Sequence, residues 1–208
     1  MVNRSAQRQS DTHARPLVAF DFDGTLTVRD SFNAFLRWRS GRRKFALMIP
    51  DALAYAGHRD RGRIKAAAVR TFLSGLTREE LEASAEAFAA ETWPALLRQD
   101  ALARWREHQA GGDVCVIVTA SPELTVGPFA RRLGADRLLG TPLVFSGGGR
   151  VVGMDAVENC RGEEKVRRLR EAFGADVRLA AAYGDTGGDR EMLAIADRPG
   201  FRVFTAGP

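Results

Sequence analysis

The stretch Leu17 to Thr27, LVAFDFDGTLT, decides how the rest of the chain is read. Four apolar residues run without a polar break and then stop at Asp21, Asp23, Gly24 and Thr25. An apolar run that ends abruptly in small and acidic residues is the pattern of a buried parallel strand delivering the chain into a loop. Two other stretches end in the same way. Val114 to Val118, in VCVIVTASPE, closes on Thr119, and Ser121-Pro122 behind it predicts a helix start, with Ser as N-cap and Pro in the first turn. RLAAAYGD, Arg178 to Asp185, again stops at an acid, shortly before Gly187-Gly188. FRVFT, Phe201 to Thr205, reads as a short last strand. Strands of this kind separated by helices predict an α/β fold with a doubly wound, Rossmann-like parallel sheet. Its binding crevice lies at the carboxyl ends of the strands, where all three runs place their polar residues.

Between the first and second strands the character changes. Residues 32–108 contain helical periods and no convincing strand. Thr77 and Glu80 have the spacing of a capping box, with Leu81, Ala85, Phe88 and Ala89 following at helical intervals, and Pro94 is expected to open the next helix. The expected organisation is a loose tail over 1–16, a core made of 17–31 and 109–208, and a helical insertion over 32–108. In LVFSGGGRVVGM, two short apolar runs around Gly147-Gly148-Gly149 predict a β-hairpin.

Composition narrows the function classes. With 208 residues, 45% apolar and 27% charged, the chain has ordinary globular usage. No apolar run approaches the roughly 20 residues of a membrane-spanning helix, and the first 16 residues carry cations without an apolar centre, unlike a secretory leader. Two cysteines supply neither a zinc spacing nor a disulfide framework, which fits a cytoplasmic protein. The net charge of +5 is unevenly spread: Arg37 to Arg78 holds 11 Lys/Arg against 2 Asp, a local +9, leaving −4 for the remainder. That stretch is either a solvated helical face or a surface that gathers anionic substrates or lies against anionic lipid at the inner face of a membrane. The apolar run FALMIPDALAYA, residues 45–56, beside the cluster Arg37, Arg39, Arg42, Arg43 and Lys44 is consistent with such a peripheral contact, and equally with packed core. The stretch shows no DNA- or RNA-binding motif, so no nucleic-acid partner is expected.

The chemistry sits at the strand ends. Asp21 and Asp23 repel each other at one strand terminus and favour a hard, oxygen-seeking ion such as Mg²⁺; Asp185 and Asp189 could complete an acidic site. Thr119 and the helix start behind it offer a hydroxyl and free amides, a natural cradle for phosphate. Lys165 opens a helix whose Val166, Leu169 and Phe173 face the core and whose end is marked by Gly174. The chain writes 28 of its 31 cations as Arg, so a lysine here hints that a compact ammonium is wanted, although Lys44 and Lys65 weaken the hint.

In order and spacing, DFDGTLT, a strand ending VTAS, a helix lysine and GDTGGD resemble the four motifs of haloacid-dehalogenase-like phosphohydrolases, across nearly all of residues 17–189. The helical insertion after the first motif looks like the cap of the phosphoserine-phosphatase-like branch, subclass IB. The resemblance implies a Mg²⁺-dependent phosphomonoester phosphatase. Asp21 would be the nucleophile that becomes an aspartyl-phosphate. Asp23 would be the acid for the leaving oxygen and then the base for water. Asp21, the Asp23 main-chain carbonyl and Asp185, supported by Asp189, would hold the ion, and Thr119, the Ala120 amide and Lys165 would bind the phosphate oxygens.

The substrate implied is a phosphoserine-like metabolite or a lipid phosphate such as phosphatidylglycerophosphate, whose phosphatases share features of the Cys160-Arg-Gly-Glu-Glu-Lys165 run. Three positions depart from phosphoserine phosphatases: Asp30 stands where those enzymes have Glu, Gly188 where they have Asn, and Val69 where they have a substrate-gripping Arg, with Arg70 one place along. Asp30 and Arg70 are therefore the candidate substrate contacts. A competing class is a phospho-accepting or binding module with slow turnover, in which a second acid two residues after Asp21 has no task.

Overall fold

The computed structural model describes residues 15–47, 50 and 61–208. Five parallel strands form the sheet: β1 (Leu17–Phe20), β2 (Val114–Pro122), β3 (Arg137–Thr141), β6 (Ala181–Gly184) and β7 (Pro199–Phe201), in the order β3-β2-β1-β6-β7. The order reverses on either side of β1, and in such a sheet the crevice opens at the carboxyl ends of the central strands. Val18, Ala19 and Phe20 are fully buried, as a central strand covered on both faces requires. Helices cover the sheet, giving the α/β, Rossmann-like architecture expected.

Between β1 and β2 stand α1 (Ser31–Ser40), α2 (Arg61–Leu73), α3 (Arg78–Leu96) and α4 (Gln99–Ala110). These helices do not share one location. Trp105 of α4 packs on Phe20 of the sheet with ring centroids 5.0 Å apart, and its indole donates to Leu133 O at 3.0 Å. α1 and α3 join the core through aromatic rings instead. Phe88 meets Phe35 at 5.4 Å and Phe129 at 5.9 Å, and Phe129 meets Phe22 at 5.5 Å. Phe129 belongs to α5 (Glu123–Leu133), which follows β2. The hairpin β4 (Val144–Phe145) and β5 (Val151–Gly153) forms around the three glycines and ties down the α2–α3 connection: Gly75 N donates to Val151 O at 2.9 Å, and Val151 N to Leu76 O at 2.8 Å.

Local signals hold where the backbone needs them. Thr77 and Glu80 form the reciprocal capping box of α3. Gly174 ends α6 (Glu163–Phe173). A further short helix, α7 (Arg190–Ala194), connects the last motif to β7.

Three local expectations are corrected. Pro94 opens no helix; it lies inside α3, whose last residue, Leu96, follows two positions later. The last strand is Pro199–Phe201 rather than 201–205, because it pairs with β6 only as far as Gly184↔Phe201. Arg202 then turns at φ 55°, and Phe204 packs over Tyr183 instead. The helix after β2 begins at Glu123, because β2 continues through Pro122, so Ser121 is not its N-cap. At the other end, the chain is tied down from Arg15 on: Arg15 Nε donates to Gly112 O at 2.6 Å and Pro16 O accepts from Val114 N at 2.7 Å. The rest of the expected tail, and most of the 45–56 apolar run, lie outside the described residues. Among the described residues no helix is long and apolar enough to cross a membrane.

Candidate active site

The carboxyl ends of β1, β2 and β6 open on a cavity of about 240 Å³ lined by Asp21, Asp23, Thr119, Ala120, Lys165, Asp185 and Asp189. The two central strand ends are locked together, since Asp21 N donates to Tyr183 O at 2.8 Å. The chain then turns tightly over Phe22–Leu26, with Gly24 at φ 85°, a conformation that glycine adopts without steric cost.

Lys165 stands at the centre. Its ammonium, almost wholly buried, donates to Asp21 Oδ1 at 2.6 Å, Val118 O at 2.6 Å and Asp189 Oδ1 at 2.7 Å, which uses all three of its protons. Burial disfavours the charge, but Asp21 and Asp189 outweigh it and hold the ammonium above its usual range.

The two aspartates of the first motif are pushed apart electrostatically. Burial, opposed by the Lys165 charge and reinforced by Asp189, pushes the Asp21 carboxyl up to about 7. Asp23 is also desolvated, yet the Lys65 charge and hydrogen bonds from Ser121 and Ser31 hold it below the usual carboxylate range. Ser31 N reaches Asp23 Oδ1 at 2.7 Å and the Ser31 hydroxyl reaches the same oxygen; the Ser121 hydroxyl donates to Oδ2, with Lys65 Nζ 3.4 Å away. In the metal-free, substrate-free site the split thus favours a proton on Asp21 and ionisation of Asp23, and a cation and an incoming phosphate beside them would each work against it.

Ligand oxygens of Asp21, Asp185 and Asp189 lie within 4.8 Å of one another, with Asp21 and Asp189 buried and Asp185 half-buried, an all-oxygen set that fits a hard divalent cation such as Mg²⁺. Asp189 is otherwise engaged on both oxygens, through Lys165 on Oδ1 and through Thr186 N and Oγ1 on Oδ2, at 2.8 and 3.0 Å. It therefore orients the cluster more than it offers free lone pairs. The Asp23 carboxylate lies outside this set, because Ser31, Ser121 and Lys65 take it; only its main-chain carbonyl was assigned to the ion by the motif.

Thr119 is buried and its Oγ1 accepts from Ser121 N at 3.1 Å, so one of the amides expected in the phosphate cradle is already engaged. Asp30 lines the cavity as the N-cap of α1, accepting from Asn33 N at 2.7 Å, and burial raises its carboxyl. Arg70 is absent from the cavity wall. Val69 is fully buried, and one residue further round the helix Arg70 points instead to Asp155 Oδ2, 2.8 Å away. Neither cysteine takes part: burial pushes the Cys115 thiol up to about 12 and Cys160 to about 11, where both stay protonated.

Sequence reasoning passed over Lys65, Ser31, Ser121 and Arg161, of which Lys65 and Arg161 line the cavity itself. The signal for Lys65 was present: the scarcity of lysine that drew attention to Lys165 applies to it equally.

Fold and site together define a member of one hydrolase class. The chain belongs to the haloacid dehalogenase-like hydrolases, whose family model matches residues 18–194. It is similar to the protein CicA of Caulobacter vibrioides, 59% identical over 199 residues that cover 94% of this chain and 90% of CicA. It also resembles the inhibition of morphological differentiation protein of Streptomyces azureus, 28% identical over 91% of this chain and 73% of that protein. Among solved structures, a protein of unknown function from Bordetella pertussis Tohama I matches with a TM-score of 0.75 and 26% identity over 89% of both chains. A substrate-bound phosphoserine phosphatase shares the fold, with a TM-score of 0.59 at 20% identity, covering 89% of this chain and 85% of that one.

Proposed function

We propose that the protein is a Mg²⁺-dependent phosphomonoester phosphatase that works through an aspartyl-phosphate on Asp21. The observation that carries this reading is the convergence of Asp21, Asp23, Lys165 and Asp185 on one small cavity, with Lys165 bridging Asp21 and Asp189.

A carboxylate attacks a phosphate dianion only where positive charge offsets the repulsion. Lys165 supplies one such charge, and a cation held by Asp21, Asp185 and the Asp23 carbonyl would neutralise further charge on the phosphoryl oxygens. Asp21 Oδ forms the new bond to phosphorus while the bond to the leaving oxygen breaks. That oxygen keeps the electron pair and takes the proton of Asp23. Water then attacks phosphorus, Asp23 accepts its proton, the Asp21–phosphorus bond breaks and inorganic phosphate leaves. Asp23 is held ionised as the structure stands, and an incoming dianion beside it favours the protonated form that the first step needs. Thr119 orients the phosphate oxygens, as does Lys165 once a phosphate oxygen has displaced one of its three present acceptors.

The substrate is a small phosphomonoester. Buried Val69, and Arg70 turned to Asp155, leave the substrate-gripping position of phosphoserine phosphatases without its guanidinium, which speaks against a phosphoserine-type grip at that place. A phospho-accepting module has no use for the four donors that aim Asp23.

Turnover of p-nitrophenyl phosphate in the presence of Mg²⁺ tests the reading. The expected result is hydrolysis abolished by chelation, by Asp21→Asn and, by about 10²-fold or more, by Asp23→Asn; activity persisting in both variants overturns it.

A further inference from the structure

We infer that Lys65 is a positioning residue that reaches in from helix α2 and aims the acid–base Asp23 through Ser121. This rests on the phosphatase reading, and it assigns a task to a side chain which that reading does not use.

The geometry is directional. Lys65 Nζ lies 2.8 Å from Ser121 Oγ, and Ser121 Oγ is hydrogen-bonded to Asp23 Oδ2. An ammonium carries three donors and no acceptor. In the Lys65 contact the serine oxygen can therefore only accept, and its single proton is directed to Asp23. Without Lys65 that hydroxyl is free to rotate and serve the backbone or water instead. Lys65 also approaches Asp23 Oδ2 at 3.4 Å and Asp30 Oδ2 at 4.0 Å, so one ammonium faces carboxylates from the β1 loop and from the cap of α1. The opposite oxygen of Asp23 is held by the amide and hydroxyl of Ser31. The carboxylate is thus fixed from both sides, and the Oδ2 side draws its constraint from two separate elements, β2 and α2.

The origin of Lys65 gives the arrangement its second consequence. Ser121 belongs to strand β2 and Ser31 to the first turn of α1, whereas Lys65 reaches in from α2. α2 is fixed at its far end, where Gly75 and Leu76 pair with Val151 of the hairpin. Lys65 thus ties α2 to the Asp23 carboxylate through the Ser121 hydroxyl. Lys165 plays no part in this relay: its three protons are committed to Asp21, Asp189 and Val118.

The test separates leaving groups. Departure of an alkoxide needs the acid, while 2,4-dinitrophenolate leaves without one. In Lys65→Met and Ser121→Ala, kcat/KM for an alkyl phosphate is expected to fall by about 10²-fold, the lower end of what general acid catalysis contributes. The value for 2,4-dinitrophenyl phosphate is expected to stay within about threefold, since that step does not use the acid. The double variant should lose no more than the worse single one, because both act in one chain, and Lys65→Arg should recover part of the alkyl phosphate activity. Equal losses on both esters, additive losses in the double variant, or a rise in KM with kcat unchanged would each overturn the relay. Wild-type protein that hydrolyses neither ester contradicts the phosphatase reading and takes the relay with it; wild type active on both, with non-selective variants, contradicts the relay alone.

Discussion

A β-carbon placed on Gly24 would lie 2.4 Å from Asp185 Oδ2. The turn after β1 and the carboxylate after β6 are thus in such close contact that any other residue at position 24 obliges the Asp185 carboxylate to shift, and φ at Gly24 is 85° in addition. Gly24→Ala is expected to push the Asp185 carboxylate out of the cluster and weaken Mg²⁺ binding by about 10- to 100-fold, as disturbed ligand orientation does. The positive φ alone costs about 1–2 kcal/mol, lowering the Tm by about 2–8 °C for a chain of this size. Calorimetric Mg²⁺ titration and a thermal melt check both; unchanged affinity would show that Asp185 does not serve the ion.

Asp21 links metal binding to pH. Its carboxyl, pushed up to about 7 chiefly by burial, is protonated below that pH in the metal-free protein. Proton and cation compete for the same oxygens, so apparent Mg²⁺ affinity should rise as pH climbs through 7, by up to tenfold per unit below that value. The stability sign follows from the same shift. A carboxyl raised in the folded state contributes stability that is complete below its unfolded value, about 4, and is lost as pH rises through about 7. Metal-free protein should therefore gain from this group at pH 5.5 relative to pH 8. Mg²⁺ affinity flat from pH 5.5 to 8 would contradict the assignment of Asp21 as a ligand.

Gly188 makes room for a side chain. A β-carbon there would lie 2.4 Å from Arg161 Nε and 2.6 Å from Arg161 Cγ, so the arginine crosses the space that a side chain at position 188 would need. Gly188→Ala should displace Arg161 and lower the Tm, and Arg161→Ala in the same chain should restore most of the loss. Strict additivity of the two changes would show that they do not share this contact.

The cations of the last turn of α1 and just beyond it face outward. Arg37, Arg42, Arg43 and Lys44 are exposed, with Arg39 half-buried among them. If this cluster engages anionic lipid, the protein co-sediments with anionic vesicles at low salt, and the association is lost at high salt and on neutralising the five residues. Wild-type protein that stays in the supernatant at low salt would refute a membrane contact through this cluster.

The legible parts of this molecule were those that one strand announces by itself. β1, β2 and β6 each combine an uninterrupted apolar run with a polar stop, because strands covered on both faces have no polar side to break the run. Their adjacency brings Asp21, Thr119 and Asp185 to one cavity. What stayed hidden depends on distance across the fold. Ser121-Pro122 matches a helix cap in isolation, but pairing of Pro122 with Thr141 keeps the strand going and frees the serine hydroxyl for Asp23. Lys65 lies 42 positions from Asp23, and nothing nearby in the sequence announces that their side chains meet. Arg70 follows Val69 by one residue, which on a helix surface turns a side chain by roughly 100°, and that turn carries it to Asp155.

The central claim is that Asp21 carries the phosphoryl group. Rapid-quench labelling with a ³²P phosphomonoester in Mg²⁺, followed by peptide mapping, measures it directly. The account predicts an acid-stable, hydroxylamine-sensitive label on the peptide containing Asp21, which forms and decays within turnover and is absent from Asp21→Asn. Turnover without label at Asp21, or a label that persists in Asp21→Asn, would contradict it.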